Sequence, residues 1–314
     1  MATILDGFER VEVDLDHPES PRWHDGAFWF SDYYRGTINR MIPGEPAQVV
    51  HSIGEPASAL GFMPDGTLVY GAMQSKQLFL LREGKATLHA DLRDLPGGWL
   101  NDMVVDGDGR TYVGTRTTKV SPTVHHREPS GPDVLLIVEP NGKDIAIVED
   151  ICSPNGCSVS PDGKTFTLAE IYARRVLRFD RDAAGRLSNR RVLVEFDKTW
   201  PDGISLDQED AIWFCSPYSG EVVRVLANGK IDQRYDVPGA VACMLGGNDR
   251  RTLFVLATDV RRQPRSDPNG AHGSLYTGPG HDEAPKRSPD DPGEVDTSGL
   301  FTLRVDIPGA GWPA

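Results

Sequence analysis

Residues 101–115 read NDMVVDGDGRTYVGT. Two runs rich in β-branched and aromatic residues flank an Asp-Gly turn, whose glycine supplies the positive φ that a tight connection between twisted strands needs. The stretch predicts a β-hairpin whose first strand opens on a polar pair, Asn101 and Asp102. The same unit recurs on both sides of it: ESPRWHDGAFWFSD from Glu19, SALGFMPDGTLVYGA from Ser58, NGCSVSPDGKTFTLAE from Asn155, DGISLDQEDAIWFCS from Asp202 and VACMLGGNDRRTLFVLAT from Val241. The six starts lie 39 to 54 residues apart, the length of four short strands with their turns.

Further strands follow the hairpins: RVLRFD, EVVRVL and VLLIVEP read as third strands, RRVLVEF and IAIVED as fourth strands. Apolar residues recur at period two and no long amphipathic helix appears, which excludes a helical solenoid of similar repeat length. The expected fold is therefore all-β: a single domain over residues 1–314, a six-bladed β-propeller of four-stranded antiparallel sheets. Closing such a ring needs one composite blade, and the early FERVEVD segment is available to pair with the late GLFTLRVDI segment.

Composition bounds the partners. With 46 acidic and 33 basic side chains the net charge is −13, which repels nucleic-acid backbones and anionic membranes. A small-molecule partner, a cytoplasmic location and neither nucleic acid nor membrane are expected, since the first residues show no targeting run. Cys152, Cys157, Cys215 and Cys243 have no metal-type spacing and read as reduced core thiols. No GxSxG elbow appears, which argues against a serine hydrolase of the α/β type.

In a propeller the first strand of every blade lines the central channel, so the six blade starts converge on the axis. They are Glu19, Ser58, Asn101, Asn155, Asp202 and Val241. Four of these carry carboxylate or carboxamide oxygens, and carboxylates held in a narrow channel call for a cation. Hard oxygens suit Ca²⁺, Mg²⁺ or Mn²⁺, with Zn²⁺ less favoured in a set lacking His and Cys and Fe²⁺ a further candidate. Loops at about 117–132, with His125, His126 and Glu128, and at about 259–299, with His272 and His281, are expected above the channel. Tyr33, Tyr34, Glu170, Tyr172, Arg174 and Tyr218, on shorter loops of the same face, are candidate pocket walls.

The ordered blade starts, with LAEIYARRVLRFD, LSNRR, GEVVRVL and ACMLGGNDRRTLFV, resemble the gluconolactonase, regucalcin (senescence marker protein) and luciferin-regenerating enzyme family over nearly the whole chain. The resemblance implies a metal-dependent lactonase with Glu19, Asn155 and Asp202 as ligands of one divalent ion, Ca²⁺ foremost. It further implies that Asn101 lies beside the metal and contacts substrate or water; Glu170, Tyr172 and Tyr218, from the upper-face loops, and Trp99 are the expected substrate contacts. Sugar-lactone members commonly carry Arg two residues before that Asn, where this chain has Trp99, so a less polar lactone competes with a sugar lactone as substrate. Asp202 is the expected proton acceptor. Alternative readings are a phosphotriesterase-like hydrolase on the same fold and a non-catalytic calcium-binding propeller.

Overall fold

The computed structural model describes residues 7–117, 133–258 and 298–313. These residues form 24 strands and no helix, in six four-stranded antiparallel sheets. The strands of blades 1 to 5 lie in residues 18–52, 57–91, 99–116 with 133–151, 154–195 and 204–236, and blade 6 combines strands in residues 240–257 and 299–304 with 9–11. The innermost strands are Pro18–His24, Ala57–Phe62, Trp99–Val105, Pro154–Val159, Ile204–Leu206 and Ala240–Gly246. Each packs against the innermost strands of both neighbours, the last against the first, so the sheets close into a six-bladed β-propeller. The composite blade forms as expected, with Glu9 opposite Thr302, Arg10 opposite Phe301 and Val11 opposite Leu300.

The core consists of wedges between blades. One cluster joins Leu78 of blade 2 to Leu100 and Val113 of blade 3, another joins Tyr112 of blade 3 to Phe166 of blade 4, and Trp23 and Phe28 of blade 1 meet Phe254 of blade 6. Each inner blade face is thus covered by its neighbour. Consequently the strict period-two alternation expected from sequence does not hold in the inner strands: Pro154–Val159 and Ala240–Gly246 are buried at every position. Sheets covered on both sides read as continuous apolar runs. Exposure returns toward the outermost strands, such as Ile145–Ile151.

The first hairpins turn as their residues dictate. In blade 2, Gly66 has φ of 81°, its N–H donates to the Met63 carbonyl, and the Thr67 N–H donates to Asp65 Oδ1 at 2.9 Å. At the other end of these hairpins a register shift recurs at one height. It falls between Glu19 and Arg22, Ala57 and Ala59, Leu100 and Met103, Pro154 and Cys157, and Ala240 and Ala242. Such bulges re-aim side chains out of the sheet plane.

The tail after blade 6 runs beneath the channel. Gln208 N–H donates to the Pro308 carbonyl, Ala310 N–H to Leu206, and Trp312 exchanges two 2.9 Å bonds with Val159. These partners lie at the lower ends of the inner strands of blades 4 and 5, so the tail crosses that mouth of the channel. Of the two long loops, residues 118–132 and 259–297 lie outside the described residues, and with them His125, His126, Glu128, His272 and His281.

Candidate metal centre

The bulges put the blade starts at the upper mouth of the channel. Glu19, Ser58, Asn101, Asn155 and Val241 each sit at or within a shifted register. Asp202 precedes its regular strand by two residues, yet its N–H donates to Cys215 O at 2.9 Å and Cys215 N–H donates to Gly203 O at 3.1 Å. The ladder therefore continues past the strand end and holds Asp202 in place. Adjacent blades are also stitched at this level. Gly156 N–H donates to Asp202 O and Gly203 N–H to Val241 O, while Asn101 Nδ2 donates to Pro154 O at 2.9 Å. A Cβ on Gly203 would lie 2.4 Å from that of Ala242, so the glycine is what lets the blades approach this closely.

Glu19, Asn101, Asn155 and Asp202 come to one region. Asn101, Asn155 and Asp202 are buried, and the Glu19 side chain keeps only 13% exposure. Burial, followed by the negative charge of Glu19, pushes the Asp202 carboxyl well above the ordinary carboxylate range, with Arg116 opposing. Asp202 Oδ1 is buried without a hydrogen-bond partner among the described residues. A buried carboxylate oxygen facing a second carboxylate is unfavourable unless a cation joins them. Glu19, Asp202 and the amide oxygen of Asn155 form a hard-oxygen set that fits a divalent ion. No group of three or more His, Cys, Asp or Glu with metal-binding geometry exists among the described residues, in keeping with a site that mixes two carboxylates with carboxamides.

Beneath this set lies a buried ion pair that sequence reasoning missed. Arg22 Nη2 donates to Asp102 Oδ1 at 2.9 Å, with side-chain exposures of 3% and 6%, and Ser20 Oγ donates to the same oxygen at 2.7 Å. Ser20 adopts φ of 48°, the left-handed region that serine rarely occupies. The pair thus links the residues next to Glu19 and Asn101 across the channel. Arg22 and Asp102 sit inside the apolar first hairpins, where a sequence reader assigns turns or surface.

Around the mouth stands an aromatic rim. His17 Nε2 lies 3.4 Å from Glu19 Oε1, and its ring packs against Tyr33 and Tyr34. Tyr172 and Tyr218 hydroxyls are 3.5 Å apart, and Trp200 meets Tyr218 edge-on at 5.7 Å. Trp99 is half-buried opposite Arg116 of the next strand. His17, Trp99 and Trp200 each stand two residues before a blade-start oxygen ligand or neighbour, a shared offset that would have revealed His17 and Trp200. Two expected wall residues lie elsewhere. Glu170 is fully buried, accepting from Cys152 N–H at 2.6 Å and from Arg175, so it braces the loop frame. Arg174 is exposed and donates to Asp197 O. The four cysteines are free; three are buried, and Cys152 is half-buried, its thiol pushed by burial up to about 11.

A profile of the SMP-30/Gluconolactonase/LRE-like region matches residues 17–259. The chain belongs to the SMP-30/gluconolactonase/LRE-like family. Regucalcin of Xenopus laevis is 26% identical over 264 residues, covering 79% of this chain and 87% of that protein. A pentonolactonase of Haloferax volcanii is 27% identical over 252 residues, covering 78% and 82%. Among solved structures of this family's fold, a calcium-binding regucalcin from Agrobacterium tumefaciens superposes with a TM-score of 0.74 at 23% identity, covering 97% of this chain and 95% of that one.

Proposed function

We propose that this protein is a metal-dependent lactonase: Glu19, Asn155 and Asp202 would hold one divalent cation, and the aromatic-rimmed mouth above them takes a lactone ring. The observation that carries this reading is the buried Asp202 Oδ1, without a hydrogen-bond partner among the described residues and set against Glu19 at the open end of the channel. The pentonolactonase relative supports the same reaction class. When bound, the cation would supply Lewis-acid polarisation of the ester carbonyl.

The protein's own groups account for the rest. Asn101 is oriented by its Nδ2 bond to Pro154 O, which leaves Oδ1 as the acceptor that holds a water or a substrate hydroxyl. Asp202 is the carboxylate placed to take a proton as a water's oxygen bonds to the carbonyl carbon. When the bond from that carbon to the ring oxygen breaks, the same proton passes to the departing alkoxide, giving the hydroxy acid. Trp99, Trp200 and Tyr218 exclude bulk water and offer flat apolar contacts to the ring.

The test is hydrolysis of a panel of γ- and δ-lactones, with an organophosphate triester alongside, by protein loaded separately with Ca²⁺, Mn²⁺, Mg²⁺, Zn²⁺ and Fe²⁺. Metal-dependent ring opening is expected. Turnover of the triester alone would replace this reading with a phosphotriesterase, and cation binding without any turnover would replace it with a calcium-binding propeller.

A further inference from the structure

The segment leading to each proposed cation ligand is tied down by a buried carboxylate. Ahead of Glu19, Asp32 accepts the N–H groups of Asp16 at 2.9 Å and His17 at 3.1 Å. Ahead of Asn155, one oxygen of Asp133 accepts from the Ser153 N–H and Oγ, both at 3.2 Å. Its other oxygen accepts from the Thr117 N–H at 2.7 Å and Oγ1 at 2.6 Å. Glu170 takes the adjoining Cys152 N–H at 2.6 Å. Ahead of Asp202, Glu221 accepts from the hydroxyls of Thr199 and Ser219, each at 2.8 Å. Ser219 Oγ lies 2.6 Å from Ser216 Oγ, which accepts the Trp200 N–H at 2.8 Å.

The offset is the same in all three blades. Asp16 and His17, Cys152 and Ser153, and Thr199 and Trp200 stand three and two positions before Glu19, Asn155 and Asp202. Asp32, Asp133, Glu170 and Glu221 are all buried. The approach to Asn101, which is not among the proposed ligands, is held by a cation instead: Lys76 Nζ donates to Leu95 O at 2.7 Å and Gly97 O at 3.1 Å. A segment that enters a strand from a loop carries N–H groups that need acceptors. A buried carboxylate that takes several donors at once also limits the conformations the segment can adopt. Ser153, at φ of 46°, is held in that uncommon conformation by its two bonds to Asp133.

We propose that Asp32, Asp133, Glu170 and Glu221 are positioning residues of the metal centre: each fixes the chain just ahead of a ligand, so that Glu19, Asn155 and Asp202 present their oxygens in a preset arrangement. The proposal rests on the cation site of the proposed function and not on its reaction. Asp32 and Asp133 give the direct test, because both oxygens of each are engaged. Asn at either position keeps one acceptor and turns the other oxygen into a donor facing an N–H. Glu keeps the charge but displaces the carboxylate. Asp207→Asn is the control, since Asp207 is as deeply buried and accepts the Glu209 and Ala211 N–H groups in the lower turn of blade 5. Affinities for Mn²⁺ and Ca²⁺ are read by calorimetry, and folding by circular dichroism and the urea midpoint.

Asp32→Asn, Asp133→Asn, Asp32→Glu and Asp133→Glu should each bind the cation about 10- to 100-fold more weakly, the usual loss when a partner that orients a ligand is removed. Asp207→Asn should lower the urea midpoint and keep the wild-type affinity. Unchanged affinity in the folded Asn variants overturns the proposal and leaves the cation site standing. Recovery of wild-type affinity in the Glu variants also overturns it, because charge alone would then account for the effect. Equal weakening in Asp207→Asn overturns it as a general loss of stability. If the wild type binds none of Ca²⁺, Mn²⁺, Mg²⁺, Zn²⁺ and Fe²⁺, the cation site falls and the proposal with it. Should the Asp32 and Asp133 variants not fold, Ser153→Ala removes only the hydroxyl bond to Asp133, and wild-type affinity in that variant overturns the proposal.

Discussion

At the scale of single residues, the site depends on oxygens that an apolar channel holds without full compensation. The proposed function gives Asp202 two roles that a conservative change separates. Asp202→Asn keeps the shape and one oxygen while removing a negative charge and the proton acceptor. Cation affinity should fall, and kcat at saturating metal should fall by about 10² to 10⁴. Calorimetry fixes saturation and lactone turnover is then measured. Restoration of wild-type kcat by excess metal would show that Asp202 is a ligand only. The residue scale is also where sequence and structure diverge most. Glu19, Asn101, Asn155 and Asp202 were legible because four oxygen-bearing residues recur at one register. The buried Arg22–Asp102 pair was not, because it joins blades 1 and 3 through space and leaves no trace in local spacing. Glu170 looked like a wall residue, yet Cys152 N–H and Arg175 draw it fully into the frame.

At the scale of elements, the hairpins carry much of the polar bonding at their turns. Asp65 illustrates the pH consequence. Hydrogen bonds from Thr67 and then Arg82 hold its carboxyl down to about 2, against an ordinary value of 3.8. A carboxylate depressed in the folded state stabilises it above the unfolded value and loses that contribution as pH falls through the folded value. Asp65→Asn keeps the acceptor for the Thr67 N–H but removes the charge. The urea midpoint of Asp65→Asn should therefore lie below that of the wild type at pH 5, and the gap should close between about pH 4 and pH 2. A gap of the same size at pH 5 and pH 2 would contradict the assignment. The turns themselves were readable from Pro-Asp-Gly and Asp-Gly. The bulges at the opposite ends were not, because a register shift depends on how a strand meets its partner, and they re-aim the blade-start side chains.

At the scale of the whole molecule, closure and access follow from how the ends of the chain are used. Phe8 leads into the short closing strand and is buried with Trp213, Val237 and Phe301 in the wedge between blades 5 and 6. Phe8→Ala removes a large side chain from that wedge and should destabilise the fold by about 3–5 kcal/mol, read from equilibrium urea unfolding; a loss under about 1 kcal/mol would mean that the closing strand is dispensable. The tail through Trp312 spans the lower end of the inner strands, so under the proposed function a substrate would approach from the side of Trp99, Trp200 and Tyr218. By itself the sequence determined the number of blades, the hairpin turns, the composite closure and the oxygen identities at the axis, because repeats, turn residues and strand propensity are local or periodic properties. Only the tertiary structure decided the buried Arg22–Asp102 pair, the tail under the lower ends of the inner strands and the register bulges at the blade starts. Each of these joins residues from different blades or strands, and burial and charge act through space, without regard to distance along the chain.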